Sequence, residues 1–356
     1  MKSILVQTGR PYEVLVGKAL LPQSGALIAK KVTPCTAAII TDDTVDILFG
    51  ATVQASLERA GFRVFRIVFS HGEASKNLET LSVVLEQLAE HRLTRTDLIV
   101  ALGGGVVGDL AGFAAAVYLR GIRFVQIPTT FLAAIDSSVG GKTAVDLKAG
   151  KNLAGVFWQP ELVLCDSDAL KTLPEQYFLD GLGEAVKYGM AFDKTLLPLL
   201  QNGVTDRLPE IIARCVAIKA DIVAQDEQDN GERRKLNFGH TIGHAIERCS
   251  HFSISHGQAV AIGMVIITRA CVKKGLAPPE TLVTLLDILT ACGLPMTCDY
   301  SAEALAEAAL GDKKRRGDLL ALILPTAVGG CTVHDIAADA LQDWITSGLN
   351  APSQTT

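Results

Sequence analysis

From about residue 13 to residue 166, short runs rich in Val, Ile and Leu alternate with helix-length segments, and this alternation restricts the fold more than any other feature. Strand-like runs fall at 13–16, 37–41, 62–69, 97–102, 123–127 and 162–166, with helical stretches at 52–60, 77–91, 106–117 and 131–139. Strands that are apolar on both faces and separated by helices predict a parallel sheet covered on both sides. In such doubly wound sheets, ligands sit at the carboxyl ends of the strands. After Leu173-Pro174 helical periodicity takes over, through 175–190, 208–228, 241–249, 258–274, 280–292 and 302–310, and 319–324 with 331–334 reads as a small hairpin. The expectation is therefore an α/β domain over residues 1–174 and a mostly α-helical domain over 175–356.

Charge and composition exclude several function classes. With 33 Lys+Arg against 38 Asp+Glu, a formal net charge of −5 and 5% aromatic residues, the chain lacks the basic, ring-bearing surface of a general nucleic-acid binder. Apolar residues make up 49%, and the largest block of like charge is 313–316, which argues against disorder. Eight Cys are scattered without a C-x-x-C pair, the pattern of reduced thiols rather than a disulfide framework. The N-terminus lacks a signal-peptide pattern, and apolar stretches such as 259–268 are too short to span a bilayer. A cytoplasmic enzyme with neither membrane nor nucleic-acid partner is expected.

Three segments carry chemistry. In 97–109, a strand runs into a turn and a helix start, and Gly103, Gly105 and Gly108 satisfy G-x-G-x-x-G. Glycines there let backbone N–H groups approach a pyrophosphate at the helix N-terminus. The match departs from the usual dinucleotide fingerprint: it follows the fourth strand-like run, and no acid lies about 20 residues on. Asp42, at the end of 37–41, is better placed for a ribose hydroxyl; the alternative is a glycine turn with no ligand. Next, Gly141-Lys142-Thr143 resembles the end of a P-loop, but the first Gly that motif requires falls on Asp136, so a nucleotide triphosphatase is disfavoured. Lys142, Lys151 and Asn152 remain as candidates for phosphate or carboxylate, against an alternative of solvated surface lysines.

The third segment holds four of the seven His (240, 244, 251, 256) within seventeen residues. His240 and His244 are four apart on one helical face, but Thr241 stands where H-E-x-x-H needs Glu, which disfavours a peptidase. Clustered neutral imidazoles suit a zinc-type ion with a carboxylate as third ligand, and spacing alone selects His240 and His244. The alternative is a set of structural histidines at a helix end. Glu184 and Lys187, three apart between glycines, read as a site or as an ordinary surface ion pair.

Taken together, Thr41-Asp42, His71-Gly-Glu73-x-x-Lys76, the Gly103–Gly105 loop, 136–151, Glu184, 237–247, His256-Gly and Asp312-Lys313-Lys314 resemble the 3-dehydroquinate synthase family of the sugar-phosphate cyclase superfamily over nearly the whole chain. The resemblance implies an N-terminal Rossmann-like, NAD-binding α/β domain and a mostly α-helical C-terminal metal-binding domain. It places Zn2+ or Co2+ on Glu184, His240 and His256, leaving His244 to the substrate phosphate. It assigns NAD contacts to Asp42, Gly72, Glu73, Lys76, Gly105, Val106, Val107, Gly108, Asp109, Thr129, Thr130, Lys142, Lys151 and Thr172. Substrate contacts implied are Asp136, Lys142, Asn152, Lys187, Lys219, Arg233, Asn237, His244 and one of Lys313 and Lys314. Arg120 matches an arginine that reaches the neighbouring subunit's substrate phosphate, which implies a homodimer.

The implied reaction converts 3-deoxy-D-arabino-heptulosonate 7-phosphate to 3-dehydroquinate and phosphate by transient oxidation, β-elimination, re-reduction and intramolecular aldol closure. Cyclases acting on sedoheptulose 7-phosphate or glucose 6-phosphate have no substrate carboxylate, whereas Lys219 and Arg233 match the family's carboxylate-reading pair. An aminodehydroquinate-forming cyclase would keep those contacts. A metal- and NAD-dependent polyol dehydrogenase would typically use Asp with two His and needs no anion-binding set. A non-catalytic relative would have lost some matched residues, and none is missing. The chain departs from the family at Asp43-Thr44, where Asn is more usual after the aspartate.

Overall fold

The computed structural model describes residues 1–201, 203–310 and 319–349. The chain divides into two units, one of Met1–Pro174 with Leu208–Gln228, the other of Glu175–Arg207 with the chain from Asp229 onward. No helix among the described residues is long and apolar enough to cross a membrane.

The first unit is built on strands β1 (Lys2–Val6), β2 (Tyr12–Gly17), β3 (Thr36–Asp42), β4 (Arg63–Phe69), β5 (Leu98–Gly103), β6 (Arg123–Pro128), β7 (Lys142–Leu147), β8 (Gly150–Phe157) and β9 (Leu162–Asp166). Seven of them form one sheet in the order β1-β2-β9-β6-β5-β3-β4, parallel except for the β1–β2 pair. Side chains alternate between faces along a strand. Ala37 and Ile39 of β3 therefore join Leu98, Val100 and Leu102 of β5 in one core, closed by Val53 and Leu57 of helix Ala51–Arg59. Ala38, Ile40, Ile99 and Ala101 join the opposite core, covered by helices Leu78–Glu90 and Gly105–Val117. Both faces being buried explains the near-continuous apolar runs; each such Val, Leu or Ile contributes about 1.5–3 kcal/mol. From β3 the chain crosses to β4 on one side and returns to β5 on the other. That reversal opens a crevice at the carboxyl ends of β3 and β5, where Asp42 and Gly103 lie.

Four features differ from the sequence expectation. Strand β1 was not anticipated: only Val6 in it is buried, so it carries no apolar pattern. The 131–139 segment is helical as expected but shorter, over 131–137, and winds as a π-helix through Ala133–Ser137. The lysine-bearing region is an antiparallel hairpin, with Lys142 opposite Phe157 and Leu147 opposite Gly150. Its glycines and the exposed residues of β8 hide the strand signal. The fourth difference concerns domain extent. Helix Leu208–Gln225, expected in the second domain, packs on β1, β2 and the Ala133–Ser137 π-helix of the first. It buries Ile211, Ile212, Cys215, Val216 and Val223. Beyond it, Glu227 accepts from the Gly9 N–H and the Gln159 amide, each at 2.9 Å.

The second unit packs helices Glu175–Ala191, His240–Cys249, Pro279–Ala291 and Leu341–Gly348 around the long, mostly buried helix His256–Lys273. The expected late hairpin is present as β10 (Leu319–Ala327) and β11 (Gly330–Ala337). Two helices meet at Gly183 and Gly257 so closely that a Cβ on Gly183 would lie 2.4 Å from the Gly257 carbonyl oxygen. That approach sets the adjacent residues, Glu184 and His256, beside each other.

Candidate active site

In the second unit, Glu184 comes from helix Glu175–Ala191, while His240 and His256 each stand at the first position of their own helix. The Nε2 atoms of both histidines lie 3.4 Å from the same Glu184 carboxylate oxygen. Their outer nitrogens are engaged elsewhere. His240 Nδ1 is 3.2 Å from the Phe238 carbonyl oxygen, and His256 Nδ1 is 3.2 Å from Glu247 Oε2. A carbonyl or carboxylate only accepts, so each Nδ1 carries a proton, and the Nε2 of each ring is turned toward Glu184. Both Glu184 oxygens are buried; one is paired with the Lys187 ammonium, and among the described residues neither accepts a well-aligned hydrogen bond. With both Nε2 atoms deprotonated, three lone-pair donors converge on one point and repel unless a cation sits among them. Two ligands on one tetrahedral ion with bonds of about 2.0–2.1 Å are about 3.4 Å apart, so the spacing and the His, His, carboxylate set fit a zinc-type ion.

The electrostatics point the same way. Burial opposes ionisation of Glu184, but the Lys187 ammonium beside it and the histidines hold its carboxyl well below the usual range. Burial drives His240 down to about 3, so this ring is neutral. His256 is also penalised by burial, yet the carboxylates of Glu184 and Glu247 push it up to about 10. A proton on His256 thus supplies positive charge where a divalent ion would supply more.

His240 also lines a cavity of about 430 Å³, with Asp229, Arg234, Asn237, Thr241, His244, Leu320, Ala321 and Ile323. Asn237 and His244 of the expected substrate set are thereby brought to the ion's neighbourhood, while Lys187 and Arg233 are almost fully buried in the same unit. The pairing of His240 with His244, which spacing alone selects, is not the group the fold assembles. His244 falls instead with Glu247 and His256. Asp229, Arg234 and Glu247 join this site without a role assigned from the sequence. Glu247 shares a helical face with His240 and His244, and that periodicity was the available signal. Lys313 and Lys314 lie outside the described residues.

In the first unit, helix Gly105–Val117 begins directly after β5 with Gly104 at its N-cap and no capping side chain. Its first-turn N–H groups at Gly105, Val106 and Val107 have no acceptor four residues back within the helix, the cradle an anionic pyrophosphate needs. A Cβ on Gly104 would lie 2.9 Å from the Thr130 side chain, so glycine lets the turn pack closely against the segment after β6. Thr129 is fixed there by its N–H to the Gly103 carbonyl (2.9 Å). Asp42 accepts from the Val45 N–H (2.8 Å), and burial raises its pKa. Gly72 opens the Glu73–Ser75 turn at positive φ, and Lys76 is buried 2.7 Å from Asp109 and 3.7 Å from Glu73. Burial disfavours the Lys76 ammonium, but those two carboxylates outweigh it and raise its pKa. Lys151, at the start of β8, is 4.0 Å from Glu73.

The remaining first-unit candidates are placed as follows. Asp136, in the Ala133–Ser137 π-helix, pairs with Lys219. Lys142 begins β7, and Asn152 on β8 donates its N–H to Asp146 (2.7 Å) at a φ of 57°. The Thr172 hydroxyl donates to the Ala169 carbonyl (3.0 Å) in the turn beyond β9. Arg120 is exposed, in a turn where Leu119 and Arg120 both have positive φ.

Comparison with known proteins adds independent constraints. The family described as 3-dehydroquinate synthase N-terminal matches residues 66–180, and 3-dehydroquinate synthase C-terminal matches 181–315. A 3-dehydroquinate synthase of Streptococcus suis (strain 05ZYH33) is 43% identical over 353 residues, covering 97% of this chain and 99% of that protein. Among solved structures, 2-deoxy-scyllo-inosose synthase complexed with carbaglucose-6-phosphate, NAD+ and Co2+ is 26% identical with a TM-score of 0.88, covering 98% of this chain and all of that one. The 2-epi-5-epi-valiolone synthase of Streptomyces hygroscopicus subsp. jinggangensis 5008, with NAD+ and Zn2+ bound, is 26% identical with a TM-score of 0.84, covering 94% and 96%.

Proposed function

The chain belongs to the 3-dehydroquinate synthase family, and from that premise we propose that it converts 3-deoxy-D-arabino-heptulosonate 7-phosphate to 3-dehydroquinate and phosphate, as an NAD- and divalent-metal-dependent carbon–oxygen lyase. The observation that carries the metal dependence is the meeting of two imidazole Nε2 atoms on one buried oxygen of Glu184. When bound, NAD supplies a reversible hydride acceptor and the ion supplies Lewis acidity.

The chain's own residues bind, orient and neutralise. Glu184, His240 and His256 would hold the ion. The N-terminus of helix Gly105–Val117 would hold the NAD pyrophosphate, with Asp42 toward the ribose. Arg233 suits the substrate carboxylate, because a guanidinium pairs with a carboxylate through two parallel hydrogen bonds. Lys219 would assist it, held in place by Asp136. Lys187, fixed against Glu184, and His244 at the cavity would meet negative charge on the substrate, His244 on the phosphate side. The overall change loses phosphate with no net redox. Such a site needs stabilisation of anions more than a nucleophile, in keeping with its Lys, Arg, Asn and His.

We extend the reading to a homodimer in which Arg120 serves the neighbouring subunit's substrate phosphate. Two consecutive left-handed residues, Leu119 and Arg120, hold an exposed arginine outward, a conformation that costs roughly 1–2 kcal/mol per residue. The deciding experiment is phosphate release from the heptulosonate 7-phosphate with catalytic NAD+ and Zn2+ or Co2+. Turnover without NADH accumulation, lost on chelation, is expected; net NADH formation from a polyol would overturn the assignment.

A further inference from the structure

Glu247 has no role in the assignments above, yet its side chain is only 8% exposed and its Oε2 lies 3.2 Å from His256 Nδ1. The two residues stand on consecutive helices, joined by a tight turn built on Glu247 itself. The Phe252 N–H and the Ser250 hydroxyl both donate to the Glu247 carbonyl, at 2.8 and 3.0 Å. His251 and Phe252 take positive φ, and a capping box of Ser255 and Gln258 starts the next helix at His256. Both side chains therefore leave from rigid helix ends, the placement that gives a site its precision. His240 has a different support, the neutral carbonyl of Phe238.

We propose that Glu247 is a positioning residue of the metal centre, which accepts the Nδ1–H of His256, fixes the tautomer that turns Nε2 toward Glu184, and makes His256 the stronger of the two imidazole donors. The inference rests on the reading that Glu184, His240 and His256 hold a divalent ion. An outer carboxylate on a ligating histidine raises the ligand's basicity and locks its ring. Glu247 also lies within reach of His244 and His256 in a second possible metal-binding group. The proton shared between Glu247 and His256 occupies the nitrogen such a second ion would need.

The test uses the full chain as wild type, Glu247→Gln and Glu247→Ala. Each is stripped of metal, then titrated with Zn2+ against a chromophoric chelator, and the Co2+-loaded forms are compared by their d–d spectra. Expected are one ion per wild-type chain, an affinity about 10- to 100-fold lower in Glu247→Ala, and a smaller loss in Glu247→Gln. The glutamine still offers an oxygen to the Nδ1–H, so this graded order separates positioning from simple packing. Shifted Co2+ spectra, with an unchanged unfolding midpoint for metal-free Glu247→Gln, support the role. Equal Zn2+ affinity in all three chains overturns it, as does a stoichiometry falling from two ions to one, which would make Glu247 a ligand. A wild-type chain that binds no ion overturns the metal reading instead.

Discussion

Lys219 donates to the backbone carbonyl of Asp136 at 2.7 Å and pairs with the same residue's carboxylate, across 83 positions of sequence. The contact ties helix Leu208–Gln225 to the first unit and fixes a buried ammonium. Lys219→Gln is expected to lower kcat/KM for the heptulosonate by about 10- to 100-fold, the equivalent of one charged hydrogen bond of about 1.5–3 kcal/mol. Zinc content should stay unchanged. Steady-state kinetics with metal analysis checks both, and unaltered kinetics would remove Lys219 from the substrate set.

His256→Ala removes one of the three donors, Glu184, His240 and His256, that the ion would use. The variant is expected to purify without stoichiometric metal and to release phosphate only at background. Elemental analysis alongside the phosphate assay decides it; full activity in a metal-free variant would sink the ligand assignment.

Gly183→Ala tests the close approach of two helices. The added methyl group would meet the Gly257 carbonyl oxygen at 2.4 Å, so the helices must part. A loss of about 1–3 kcal/mol in unfolding free energy is expected, the usual cost of overpacking. Zn2+ affinity should fall with it, because Glu184 and His256 are the next residues along. Denaturant unfolding and metal titration measure the two effects separately.

Asp97 accepts from the N–H groups of Thr36 (2.9 Å) and Thr94 (2.7 Å) and from the Thr94 hydroxyl (2.9 Å). Burial opposes its ionisation, but these bonds prevail and lower its pKa. A lowered folded pKa means stabilisation that is present above the unfolded value of about 3.9 and is lost as pH falls through the folded value. Asp97→Asn should therefore cost about 1–3 kcal/mol at pH 7, since an amide N–H would face backbone donors. The difference from wild type should shrink below about pH 4. Urea midpoints across that range provide the check.

Arg120→Ala should depress turnover without altering metal content. If the arginine serves the partner's site, mixing Arg120→Ala with His256→Ala subunits should restore activity, because one mixed site regains both groups. No recovery after subunit exchange, verified by mass, would place Arg120 outside the site.

The parallel sheet was legible because burial of both faces writes itself into every strand, as in the Ile39/Ile40 and Leu98/Ile99 neighbours that divide between two cores. The chemistry-bearing segments were legible for a similar reason: a glycine turn after a strand and histidines one helical turn apart are local patterns. Local patterns inform only about neighbours on the same element. Hence spacing paired His240 with His244, and His256 entered the metal set by resemblance alone.

By itself, then, the sequence determined the α/β and helical textures, the change at residue 174, the glycine turn ahead of helix Gly105–Val117 and the supply of Glu and His donors. The tertiary structure decided which donors meet. A turn at 250–255 and a contact at Gly183 and Gly257 bring His256 to Glu184, set Glu247 behind it and leave His244 at the cavity. It likewise returned Lys219 to the first unit and folded the lysine segment into a hairpin. These outcomes depend on packing between elements far apart in the chain, where backbone approach and mutual burial, rather than periodicity, select the partner.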